Sequence, residues 1–347
     1  MWPAFRFQCE PMGKIGYIPA KECFSHTEDK DASDIFCDVF EQNRFFFRNA
    51  SIHAAIDLSI FDLLTRPLTC EQLSLQLRTQ PNRLHALLNV LVLEGLLQFE
   101  KKGSTYFYLA RGTPAHGPGP PEYGWGQLAQ VIRTNRPLDE IEPSKPASDA
   151  NLRFHDHLFE IGYPAGQWLW KHIGMSQGHL LDIGSGSGAY SAAFLEMYRD
   201  ATATLVDREE ILELARHRLK NYAGRLKFEA RDAFKPIPGL YDIALLTNML
   251  HLYGPPDCAK LIAVATQSLQ KDGCLVIKDQ WIEPDRSGPA VSVYFTLNMA
   301  LYTKAGEVYS GDRICRWVTK TGFTDLEVLN NSSSLIVKAK NPSKTNA

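Results

Sequence analysis

Apolar positions change their period along this chain, and the changes mark its parts. Between about 32 and 64 they recur at helical spacing: Ile35, Phe36, Val39 and Phe40, then Phe45, Phe46 and Phe47, then the run from Ile52 to Leu64. That last run is apolar nearly all round. It predicts a buried helix in a core or, with little other core nearby, in a subunit interface. Thr69-Cys70-Glu71-Gln72 has capping-box spacing and predicts a short helix through Leu77. Thr79 reads as the cap of a second helix from Pro81 to about Gly95, with Pro81 in its first turn. Leu96 to Glu100 and Thr105 to Leu109 alternate and are joined by Lys101-Lys102-Gly103-Ser104, which predicts a hairpin. Helix, turn, helix and hairpin make a winged helix.

Gly and Pro then dominate residues 111 to about 150, a connector with one helix near Gln127 to Arg133. Residues 151–175 return to a helical, aromatic pattern with Phe154, His155, His157, Phe159, Tyr163, Trp168 and Trp170. They precede the last region and are placed to line the mouth of its site. His155 and His157 are two apart and share no helix face, so no metal is assigned to them.

From about 178, strand-like and helical runs alternate. Strand-like runs end at Asp182, Asp207 and Asp232. A buried strand follows from Tyr241 to Thr247, then a helix from about Pro256 to Gln270, then a strand from Cys274 to Asp279. This alternation predicts a parallel sheet with crossover helices. Helices over Phe295 to Tyr302 and Tyr309 to Thr321 precede two short strand patterns, 323–329 and 333–339. The expected fold is α/β: a Rossmann-like parallel sheet with a C-terminal antiparallel edge hairpin, preceded by an all-helical, winged-helix domain. The expected division is an irregular arm 1–32, a winged-helix domain 33–112, a connector with pocket-lining helices 113–175, a ligand-binding domain 176–340 and a tail 341–347.

The chemistry centres on Leu180-Leu181-Asp182-Ile183-Gly184-Ser185-Gly186-Ser187-Gly188 and the helical run from Ala189 that comes after it. Strand, glycine turn and helix present a loop backbone to a ligand at the strand's carboxyl end. Gly184, Gly186 and Ala189 also fit the dinucleotide fingerprint, so a nicotinamide oxidoreductase is a rival reading. The acids separate the two. A carboxylate at Asp182 would repel a pyrophosphate and attract an ammonium. Asp207 ends the next strand, where an acid accepts ribose hydroxyls. Asp232, followed by Ala233 and Phe234, suits an adenine, with the carboxylate on its amine and the ring against its face. Ammonium, ribose and adenine without phosphate describe S-adenosylmethionine.

Charge and cysteines narrow the class further. The 347-residue chain has 37 Lys and Arg against 39 Asp and Glu, a net charge of −2. That gives no electrostatic pull toward nucleic acid or an anionic membrane. A winged helix also raises a DNA-binding regulator. Its reading helix would run from Asn82 to Glu94, where Arg83 is the sole basic residue and the second half is apolar. The seven cysteines are scattered and odd in number, as for reduced thiols in a cytoplasmic protein. No apolar run approaches the ~20 residues that span a bilayer, and the N-terminus lacks a signal peptide's apolar core.

With these pieces in place, the sequence resembles a known family. It is similar to the class I S-adenosylmethionine-dependent O-methyltransferases with an N-terminal winged-helix dimerisation domain. These include plant caffeic-acid and flavonoid enzymes, acetylserotonin methyltransferase, and bacterial antibiotic and pigment methyltransferases. The resemblance covers roughly residues 35–340 and rests on Asp182 to Gly188, Asp207, Arg231-Asp232-Ala233-Phe234, Asn248-Met249-Leu250-His251, Lys271-Asp272-Gly273 and Thr321-Gly322-Phe323. It implies a homodimer formed through the N-terminal domain and methyl transfer to a hydroxyl of an aromatic or polyketide-like small molecule. It implies a cofactor held by Asp182, Gly184, Gly186, Gly188, Asp207, Asp232, Ala233, Phe234 and Asn248. It implies His251 as general base, a task that suits imidazole.

Trp168, Phe295, Met299 and Tyr302 are pocket-wall candidates, and the same four also suit plain core packing. The family often has His-Asp-Trp where this chain has His251-Leu252-Tyr253. Asp279 is then the nearest carboxylate to orient the histidine. A family Glu-Arg-Thr motif falls near Val308-Tyr309-Ser310 and is missing, with Glu307 adjacent. These departures leave carbon or nitrogen transfer, or a fold without transfer, as alternatives.

Overall fold

A computed structural model describes residues 32–115, 117, 119–120, 124–138, 149–175, 178–330 and 333–341. The expected arm, up to Asp31, and the tail beyond Asn341 lie outside the described residues, as does much of the connector. The first helical pattern folds as two helices, α1 (Ala32–Asp57) and α2 (Ile60–Leu63), not one. Ser59 takes φ +57° between them, and a left-handed residue cannot continue a right-handed helix.

Strand β1 (Leu68–Thr69) leads into α3 (Cys70–Leu77), whose capping box is complete. Gln72 N donates to Thr69 Oγ1 at 3.2 Å, and Thr69 N donates to Gln72 Oε1 at 2.9 Å. Thr79 does not cap the next helix, α4 (Pro81–Leu93). Gln80 stands at the cap without a side-chain bond, and Pro81 opens the helix because its ring supplies the right φ and has no N–H to satisfy. Strands β2 (Leu97–Lys102) and β3 (Thr105–Ala110) form the hairpin. Its turn is only Gly103-Ser104, with Gly103 at φ +63°, so Lys101 and Lys102 pair within the strand rather than lying in a loop. β1 adds a third strand beside β3.

Ile52, Ala55, Ile60 and Leu64 are buried within a single chain. The expected interface role of this run is therefore corrected. Its cover comes from α4, from α5 (Leu128–Thr134) and from a late helix of the same chain, α10 (Ala290–Tyr302), which the sequence order hides. Phe45, 71% exposed, and Phe46 point outward from α1 instead.

Helix α6 (Asp149–His172) crosses onto the second sheet. That sheet contains β4 (His179–Ile183), β5 (Thr202–Asp207), β6 (Leu226–Ala230), β7 (Tyr241–Thr247), β8 (Leu269–Gln280), β9 (Leu326–Asn330) and β10 (Ser334–Lys340). Helices α7 (Ala189–Met197), α8 (Glu209–Arg218) and α9 (Pro255–Gln267) are crossovers, and α11 (Gly311–Thr319) follows α10. The strand order is β6-β5-β4-β7-β8-β10-β9. The first five strands run parallel, while β10 is antiparallel to both β8 and β9, the expected edge hairpin. The order reverses between β4 and β7, and ligands bind in such a crevice at the strands' carboxyl ends. Gly162 and Gly166 let α6 lie on α7: a Cβ on either would come within 2.9 Å of Ala189 or Ala193.

Candidate active site

The glycine loop is pinned before any ligand arrives. Gly184 N and Ser185 N both donate to Val206 O, at 2.8 and 3.2 Å. Gly186 N donates to Asp207 Oδ2 at 2.8 Å, and Arg208 N donates to Asp207 Oδ1 at 2.8 Å. The three glycines have distinct tasks. Gly184 is covered by the Met249 side chain, and a Cβ on Gly188 would stand 2.6 Å from Leu219 Cδ1. Those two let the loop press on the core. Gly186, at φ +55°, has only His155 Nδ1 near its missing Cβ among the described residues, at 3.6 Å, so those residues leave the loop approachable there.

Asp182 is 1% exposed. Its Oδ2 accepts from Ser191 Oγ at 2.6 Å, and its Oδ1 accepts nothing among the described residues. Burial pushes this carboxyl up to about 7; the Ser191 bond opposes that rise and the charge of Asp207 adds to it. A buried carboxylate with a spare oxygen gains from a neighbouring cation. The spare oxygen and the open approach at Gly186 fit the ammonium end of S-adenosylmethionine. Burial also raises Asp207, against the N–H groups of Gly186 and Arg208.

Asp232 lies exposed in the turn after β6 and accepts Phe234 N at 2.9 Å. Ala233 is half-buried beside it. The Phe234 ring meets Tyr253 edge to face, centroids 4.9 Å apart. Tyr253 is a residue that motif reasoning passes over. Its phenol is pushed up to about 12, chiefly by burial, with the charges of Asp207, Asp232 and Asp257 adding to the rise. The signal was an aromatic residue two positions after His251. Asn248 follows the end of β7 at φ +52°; it is exposed, and its Oδ1 accepts from Lys278 Nζ at 3.4 Å.

His251 sits in the 3₁₀ turn Leu250–Leu252 and is buried. Its Nδ1 is 2.5 Å from Asp279 Oδ1 at the end of β8. Asp279 also accepts Leu250 N at 2.7 Å and Gln280 N at 2.7 Å. Burial alone would raise this carboxyl, but the imidazole and the backbone donors outweigh it and hold it below the usual carboxylate range. A carboxylate accepting from Nδ1–H leaves the ring's lone pair on Nε2, the arrangement of an oriented base. Asp279 is thus the carboxylate in contact with the ring. Glu307 goes elsewhere, with ion pairs to Arg286 at 3.1 Å and Arg313 at 3.2 Å.

The Phe295 ring packs edge-on against His251, centroids 4.9 Å apart. Phe295, Met299 and Tyr302 lie buried in one core with Met249 and Leu252. Trp168 does not join them. It is half-buried, stacks on the exposed His172 and packs against the core that holds Trp170 and Phe194, two residues off the face of α6 that meets α7. Behind Phe295, Phe40, Phe47, Trp125, Tyr294 and Asn298 line an aromatic recess, where Trp125 Nε1 donates to Asn298 Oδ1 at 3.2 Å.

Comparisons with known proteins show the family. Residues 156–324 match the family model of an O-methyltransferase domain, and residues 42–111 that of an O-methyltransferase dimerisation domain. The chain is 24% identical over 314 residues to 3-hydroxy-5-methyl-1-naphthoate 3-O-methyltransferase of Streptomyces sahachiroi, covering 83% of this chain and 89% of that protein. It is 25% identical over 293 residues to acetylserotonin O-methyltransferase of Bos taurus, covering 76% and 85%. In fold it is similar to the crystal structure of an O-methyltransferase family 2 protein from Planctomyces limnophilus in complex with apigenin. There the TM-score is 0.67 at 23% identity, covering 91% of this chain and 98% of that one.

Proposed function

Because this chain belongs to the class I S-adenosylmethionine-dependent O-methyltransferases, we propose that it methylates a hydroxyl of an aromatic or polyketide-like small molecule, with His251 as general base. The buried His251–Asp279 pair carries this reading. Asp279 fixes the ring and its tautomer, and Nε2 takes the acceptor's proton as the oxygen attacks. S-adenosylmethionine supplies an activated methyl on a sulfonium that leaves readily. Asp182 and the loop at Gly184, Gly186 and Gly188 hold its methionine end, and Asp207 holds the ribose. Asp232, Ala233 and Phe234 hold the adenine, with Asn248 at the rim. Tyr253 closes the adenine side.

The acceptor lies against Phe295, Met299 and Tyr302. The apolar character of that wall and the aromatic acceptors named for the relatives support a flat, hydrophobic molecule. The protein works in the cytoplasm as a homodimer joined through its N-terminal domain. Calorimetry with S-adenosylhomocysteine, with NADH as control, tests the site. Micromolar binding of the first alone is expected, and binding of NADH instead would return the oxidoreductase reading. A labelled methyl donor offered with a panel of phenols then tests transfer.

A further inference from the structure

The one basic side chain of the helix that would read DNA in a winged-helix regulator points inward. Arg83, on α4, is 2% exposed. Its guanidinium donates to the carbonyls of Ala300, Thr303 (3.0 Å) and Lys304 (3.3 Å), and to Asn135 Oδ1 (2.8 Å). The three carbonyls belong to the last turn of α10 and the residues just after it. A helix leaves its final carbonyls without partners and carries partial negative charge there, so a buried cation is stabilised at that end.

The residues after α10 bear directly on the site. Thr303 Oγ1 donates to Met299 O at 2.7 Å and accepts Gly306 N at 2.8 Å, which makes residues 303–306 a closed turn. Gly306 lies flat against the catalytic segment. A Cβ there would meet the His251 carbonyl oxygen, and would stand 2.9 Å from Leu252 C. The turn that Arg83 holds is therefore the surface on which the His251 backbone rests. The same helix carries Phe295 against the His251 ring. At the other end of α4, Glu94 accepts from Tyr294 Oη at 3.0 Å and is paired with Arg44 and Arg48 of α1. Helix α4 thus grips α10 at both ends.

We propose that Arg83 is a positioning residue for methyl transfer: from the N-terminal domain it fixes the turn after α10, and through Gly306 it fixes the backbone of His251. The cofactor acids stand on β4, β5 and the turn after β6, outside this chain of contacts. The inference rests on the proposed role of His251, but its structural half does not need that role.

The test compares wild type with Arg83→Lys, which keeps the charge but cannot span the carbonyls, and with Arg83→Met. Hydrogen–deuterium exchange should speed up in Arg83→Lys both at 299–306 and at 250–252, while the glycine loop 183–188 stays unchanged. With a phenol the wild type methylates, kcat should fall about tenfold to a hundredfold, as for a base displaced by a fraction of an ångström. Affinity for S-adenosylhomocysteine should stay within about twofold. Arg83→Met should show the same pattern more strongly. Unchanged exchange at 250–252 in a folded variant would overturn the proposal. So would an equal loss of S-adenosylhomocysteine affinity, which marks general destabilisation. If the wild type methylates no phenol, the function reading fails while the exchange result still decides the contact.

Discussion

At the scale of the residue, two buried acids carry opposite instructions. Asp279 is surrounded by donors and stays charged; Asp182 keeps one oxygen without a donor among the described residues and resists charge. Asp279→Asn should therefore reverse the hydrogen-bond logic at His251 Nδ1, offering the ring the wrong tautomer. Turnover should fall by about a hundredfold or more, with S-adenosylhomocysteine affinity nearly unchanged; steady-state kinetics beside calorimetry separates the two. For Asp182 the ordinary value is 3.8 and the folded value is about 7. An acid raised in the fold contributes less stability as pH climbs from about 4 to about 7, because the unfolded chain ionises first. A bound ammonium favours the charged form, so S-adenosylhomocysteine should bind more weakly as pH drops from 8 to 6. Protons should be released on binding near pH 6.5, read from the buffer dependence of the binding heat. A flat pH profile would remove Asp182 from contact with the ammonium.

At the scale of the element, the site depends on close backbone approach. Gly166→Leu should wedge α6 away from α7, where Ala193 Cβ and Tyr190 Cα leave no room. A loss of about 1–3 kcal/mol in unfolding stability is expected, with weaker S-adenosylhomocysteine binding because α7 starts at the glycine loop; chemical denaturation and calorimetry check both. Much of this level is legible in the sequence. Strand-like runs before Asp182, Asp207 and Asp232 announce strands whose carboxyl ends share a cleft, and Thr69 with Gln72 announces its own capping box. Thr79 misleads because a proline two residues later opens the helix by backbone geometry, which residue preference at the cap does not capture. The Lys101-Lys102 pair misleads because turn length, not charge, decides where a hairpin bends.

At the scale of the whole molecule, sequence order hides which distant segments meet. Helix α10 belongs by position to the cofactor half, yet it is buried among α1, α4 and α5. The Ile52 to Leu64 run looks unpartnered partly because one of its three partners, α10, lies more than two hundred residues on. The same distance hides Arg83's role. With that core closed inside one chain, Phe45 and Phe46 are large apolar groups that α1 leaves outside among the described residues. Phe45→Glu should therefore weaken the proposed homodimer, moving the mass seen by light scattering toward 39.0 kDa without lowering the melting temperature of the monomer fold. A dimer unaffected by this change would place the interface elsewhere.

The proposed oxygen methylation, driven by an oriented His251, is the central claim. It is measured most directly by transfer of ¹³C-labelled methyl from S-adenosylmethionine to a phenol panel, followed by NMR of the product, for wild type and His251→Ala. Label is expected on a phenolic oxygen, at a rate that falls by about 10²–10⁴ in the variant. Label on carbon or nitrogen, or an undiminished rate in His251→Ala, would contradict it.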